Sequence, residues 1–116
     1  MPDPIELSPE DAKLVTLARS ARARNNTAEG AAVRDDTGRT YVATTVALAS
    51  LSLSALRAAV VIAVASGARG LEAAAVVGSE AAIQSDDLAV VAEIGPGAPV
   101  VLADPDGVVN GVVVTN

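Results

Sequence analysis

The chain has 116 residues, 51% of them apolar, and carries a net charge of −6 with a pI near 4.4. That is the length of one domain, enough to bury about two-thirds of the surface an unfolded chain exposes. Its acidity argues against a phosphate backbone as partner. Cys and His are absent, which excludes the usual zinc donor sets, Ser–His and Cys–His nucleophilic triads, and the general base most common near neutrality.

The remaining composition narrows the partners. With no Phe, no Trp and a single Tyr, the core must be built from Ala, Val, Leu and Ile. Tyr41 is the one aromatic platform on which a base could stack, so no nucleic acid is expected. No run approaches the ~20 apolar residues of a membrane span, the longest being residues 58–65. The opening Met-Pro-Asp-Pro-Ile-Glu lacks the basic and apolar stretches of a secretory signal, and a Cys-free chain suits a reducing compartment. A cytoplasmic protein without membrane contact is expected.

Along the chain, Ser8-Pro9-Glu10-Asp11 reads as a helix start, with a capping hydroxyl, a proline in the first turn and two acids at the positive end of the dipole. Leu14, Leu17, Ala18 and Ala21 fall on one face. Arg19, Arg22 and Arg24 complement the C-terminal end better than they form an anion patch, and Asn25-Asn26 closes the helix. Residues 30–34 and 39–46 read as strands joined by the turn Asp35-Asp36-Thr37-Gly38.

Residues 52–66 read as a second helix, apolar nearly all round through Leu53, Leu56, Val60, Val61, Ile62 and Val64, and closing at Gly67. Such a helix is expected to be buried on every side. Ala55, Ala58, Ala59 and Ala63 would let neighbouring backbones come close. This predicts a homo-oligomer with the helix in or beside the interface. Arg57 interrupts the apolar run, and an unpaired buried arginine is very costly. A carboxylate or several carbonyls should face it, within the chain or across a subunit boundary.

Residues 71–77 read as a strand ending at Gly78, and Ser85-Asp86-Asp87 as the cap of a third helix running to about Glu93. Residues 99–103 and 108–114 are apolar strands joined by Asp104-Pro105-Asp106-Gly107, a strong turn signal. Asn110-Gly111 reads as a bulge or a competing turn. The order α-β-β-α-β-α-β-β has no repeat and no linker, and residues 1–116 are expected to form a single domain. The carboxylate pairs Asp35-Asp36, Asp86-Asp87 and Asp104/Asp106 are better explained by turns and caps than by cation binding. An EF-hand pattern fails because Val108 stands at a ligand position, and no phosphate-cradling glycine motif occurs.

With its spacings, this order resembles the cytidine deaminase fold in its small single-domain branch. Gly30-Ala31-Ala32-Val33, followed by a glycine turn and Tyr41, is similar to the family's Gly-Ala-Ala strand pair. Residues 54–59, Ser-Ala-Leu-Arg-Ala-Ala, resemble the Cys-Ala-Glu-Arg segment that opens its second helix. Residues 90–95 and 99–104 look like the end of its third helix and its fourth strand. The resemblance implies an α/β chain in three α/β/α layers, assembling as a dimer or tetramer. Its five-stranded mixed sheet would end in the antiparallel hairpin that the Asp-Pro-Asp-Gly turn also indicates.

The resemblance also implies where the chemistry should be, and this chain departs from it there. The family holds zinc through a Cys or His on the second helix and two Cys of a Pro-Cys-x-x-Cys segment, with a Glu shuttling protons. The matching positions carry Ser54, Gln84 and Asp87 for the ligands, Leu56 for the Glu and Ile83 for the proline. The Asn-x-Glu that grips ribose falls near Thr45 and Ala47, Thr27 replaces a Phe, and a short gap precedes Ser54. The expectation is a degenerate member with no catalytic residue, no metal and no cofactor, acting through oligomerisation or an unidentified protein partner. One alternative is a nucleoside- or nucleotide-binding regulator with Thr45, Ala47 and Arg57 as candidate ligand contacts. Others are a deaminase relative catalysing a zinc-free reaction with carboxylates, and a cytidine deaminase-type hydrolase by similarity only. An apolar-filled site marks the first reading; a cavity lined by Thr45, Ser54 and Gln84 marks the second.

Overall fold

The computed structural model describes residues 6–79 and 83–115. Helix α1 spans Pro9–Asn25. Its start is set by Ser8, whose hydroxyl accepts the Asp11 N–H at 3.2 Å, and its end by Asn26 in the left-handed region at φ 51°. Leu14, Val15, Ala18 and Ala21 are buried, on the face that the spacing indicates.

Strands β1 (Glu29–Asp35) and β2 (Thr40–Thr44) form an antiparallel hairpin. Its turn is organised by Asp35. One carboxylate oxygen accepts from the Thr37 hydroxyl at 2.7 Å, the Thr37 N–H at 2.9 Å and the Arg39 N–H at 3.0 Å, and the other from the Tyr41 hydroxyl at 2.9 Å. The Thr37 hydroxyl leads the bonds that hold the Asp35 carboxyl at about 2, against the opposing effect of burial. These bonds make Asp35 a turn residue, as its sequence context suggests.

The strand expected over 39–46 is shorter, and the helix expected from residue 52 starts later. Val46–Ala47 (β3) and Ser52–Leu53 (β4) pair with each other as a small separate hairpin. Helix α2 is Ala55–Ala65, because the Ser54 hydroxyl caps it by accepting the Arg57 N–H at 3.1 Å. Nor is α2 buried on every side: Ala55, Leu56, Ala58, Ala59, Val60 and Ala63 are, but Val61, Ile62 and Val64 are 52%, 41% and 49% exposed.

Strand β5 (Leu71–Gly78) is followed by α3 (Ser85–Ile94), β6 (Pro99–Ala103) and β7 (Val109–Val114). Gln84, rather than Ser85, occupies the cap position of α3, and its side chain makes no capping bond. In the last hairpin, Asp104 Oδ1 accepts the Asp106 and Val108 N–H groups at 2.9 and 3.0 Å, with Gly107 at φ 85°. Leu102 pairs with Gly111 but Ala103 with Val109, so Asn110 is the extra residue of a bulge.

The five-stranded sheet runs β2-β1-β5-β6-β7, with β5–β6 parallel and the other pairs antiparallel. Alternation along the strands divides the core in two. Ala32, Ala73, Ala75, Val77, Val101 and Ala103 pack under α1 through Leu14, Val15 and Ala18. Ala31, Val33, Ala74, Val76 and Val100 pack under α2 and α3 through Leu56, Ala59, Val60 and Val91. The result is three layers with the N-terminal ends of α2 and α3 beside each other. Among the described residues no helix is long and apolar enough to cross a membrane.

Candidate functional site

Three of the residues singled out in the sequence meet where α2 and α3 begin. Ser54 precedes α2, Arg57 lies in its first turn, and Asp87 lies in the first turn of α3. The Ser54 hydroxyl donates to Asp87 Oδ1 at 2.8 Å while accepting the Arg57 N–H. Arg57 Nε stands 3.3 Å from the same carboxylate oxygen. That contact is an ion pair without hydrogen-bond alignment, since Nε is buried and has no hydrogen-bond partner among the described residues. The Arg57 side chain is 34% exposed and that of Asp87 8%, so the expected carboxylate opposite Arg57 is found within the chain.

The other candidates do not join this cluster. Leu56 is 1% exposed and sits in the core with Val91 and Val100. Gln84 is exposed. The Thr45 hydroxyl accepts the Glu29 N–H at 3.1 Å, and the Thr45 N–H donates to the Glu29 carbonyl at 3.2 Å, so Thr45 is spent on joining two backbone segments. Ala47 is exposed in β3. Cavities of about 440, 320 and 340 Å³ are lined elsewhere, and none of these three includes Thr45, Ser54 or Gln84.

Sequence reasoning missed Glu29. Its carboxyl is pushed above its ordinary value, first by burial and then by the charge of Asp87. It lines the 340 Å³ opening with Arg22, Ala28 and Ser79. The sequence offered only a single acid before the apolar Gly30-Ala31-Ala32-Val33 run, and that does not show its proximity to Asp87.

The donor set does not fit the zinc that the resemblance implies. Thiolates or imidazoles are the strong ligands for that ion, and the chain has neither. The Ser54 proton is committed to Asp87, the Asp87 charge to Arg57, and Leu56 offers no donor. No group of three metal-ligating His, Cys, Asp or Glu side chains occurs among the described residues.

A family model described as cytidine deaminase-like matches residues 7–107. Among solved structures, a cytidine deaminase from Burkholderia pseudomallei is 29% identical, with a TM-score of 0.78 over 93% of each chain. A cytidine deaminase from Mycobacterium tuberculosis is 28% identical, with a TM-score of 0.65 over 78% of this chain and 80% of that one. One from Mycobacterium leprae, 23% identical with a TM-score of 0.67 over 88% and 90%, shows likeness of fold alone. None of the curated proteins matches.

Proposed function

Because the chain belongs to the cytidine deaminase-like family, yet presents side chains that do not fit a zinc ion, we propose that it is a non-catalytic member acting through assembly and protein contact. The observation that carries this reading is the Ser54–Asp87–Arg57 cluster. It takes up Ser54 and Asp87, two of the three positions matching the metal ligands, while Leu56, matching the proton-shuttling Glu, is packed in the core. Deamination needs an activated water and a proton carrier at that point, and the chain supplies a methyl-rich side chain instead.

The purified protein is expected to contain no stoichiometric zinc and to release no ammonia from cytidine or deoxycytidine. About one zinc per chain resisting mild chelation, or ammonia release at a rate proportional to protein concentration, would overturn the reading.

The assembly part of the proposal rests on surface. Val61, Ile62 and Val64 on α2, with Leu48 and Leu51 in the β3–β4 hairpin, are exposed large apolar side chains. Val61 and Val64 stand one turn apart on α2, and contiguous exposed apolar surface marks interaction sites. A homo-oligomer with α2 in or beside the interface would cover it.

A further inference from the structure

We propose that Asp87 acts as an internal anion that clasps the N-terminal ends of α2 and α3 together, in the place where the fold would otherwise use a metal. The inference starts from an acid that leaves its own helix. Asp87 is the third residue of α3, a position from which a carboxylate ordinarily reaches back to the cap residue's N–H. Here it accepts instead from Ser54, the cap of α2, at 2.8 Å. The Asp87 N–H is satisfied within α3 by the Gln84 carbonyl at 3.0 Å.

Ser54 is the coupling element. A hydroxyl has one proton and two lone pairs. Its proton goes across to α3, and a lone pair receives the Arg57 N–H within α2. The capping bond and the crossing bond are thus made by one atom and orient each other. The carboxylate faces the positive ends of two helix dipoles as well as the Arg57 guanidinium. At 5% residue exposure it is shielded from the water that would screen those charges. A metal would hold the two helix ends through ligands gathered around a cation. The clasp reverses the sign, setting one hydroxyl donor and one guanidinium charge against an anion supplied by the chain.

The test is a double-mutant cycle on the full chain, followed by thermal and urea unfolding. Ser54→Ala and Asp87→Ala should each lower the midpoint, and the double variant should lose clearly less than the two single losses combined, because they remove one shared interaction. Asp87→Asn, which keeps the shape and removes the charge, should fall close to Asp87→Ala. If Asp87→Ala does not fold, Asp87→Asn replaces it in the cycle. Losses that simply add, or an Asp87→Asn variant as stable as wild type, would overturn the clasp. Added zinc or EDTA should leave the wild-type midpoint unmoved, and a rise with zinc counts against it. The clasp rests on hydrogen bonds rather than on lack of activity. Ammonia release with the coupling intact would remove the functional reading and leave the clasp standing.

Discussion

At the scale of single residues, Leu56 decides between a sealed site and an open one. Structural zinc can contribute on the order of 10 kcal/mol to the folding of a small domain, so a relative without it needs other sources of stability. Burying one leucine contributes about 1.5–3 kcal/mol, and Leu56 is among the largest fully buried side chains. Leu56→Glu places an acid among Val91, Val100 and alanines. We expect destabilisation of roughly 3 kcal/mol or more, read as a fall in the urea or thermal midpoint. An unchanged midpoint would mean that residue 56 lines an open pocket, and ligand binding would then displace the present reading. At the candidate site, the departures of Ser54, Leu56, Gln84 and Asp87 from the family's residue types were legible. Their grouping was not. Whether Ser54 meets Asp87 depends on how two helices approach, which no local spacing encodes, and Glu29 becomes notable only once Asp87 is its neighbour.

At the scale of elements, α1 lies against β1 because Gly30 has no side chain. A Cβ there would collide with the Ala18 carbonyl oxygen and stand 3.0 Å from the Arg22 nitrogen, both backbone atoms of α1. Gly30→Ala should therefore push the helix off the sheet and lower the thermal midpoint by roughly 4–12 °C, the consequence of overpacking by about 1–3 kcal/mol in a domain of this size. A variant as stable as wild type would show that the helix–strand contact yields easily. The longer elements were legible because their signals are local: Ser8-Pro9 starts a helix, Asp35 and Asp104 organise turns, and Asn110-Gly111 breaks a register. The β3–β4 hairpin was not. Two paired residues per strand are too few to show alternation, and Ser52 and Leu53 continue smoothly into the apolar pattern of α2. The outer face of α2 was misjudged for a related reason. An all-round apolar helix states that cover is needed without stating whether the same chain supplies it.

At the scale of the whole molecule, the uncovered α2 face predicts association. Light scattering at micromolar concentration should report a dimer or larger species. Val61→Lys combined with Val64→Lys, on exposed positions one turn apart, should shift the population to monomer while preserving the helical circular dichroism. A wild-type protein that is monomeric at that concentration would refute the assembly reading. The strand order carries a further consequence, for the time course of folding. β1 is a near neighbour of β2 in sequence, but its other partner is β5, reached only after the small hairpin and the whole of α2 have been made. During synthesis the first hairpin must therefore wait with one apolar edge unpaired, and a lone two-stranded ribbon is marginal in water. Productive collapse begins when residues 71–78 arrive and close a long loop. Refolding should accordingly be slower than in helical bundles of this length, where contacts are local. The interval before β5 docks is when the chain is most exposed to mispairing with another copy of itself.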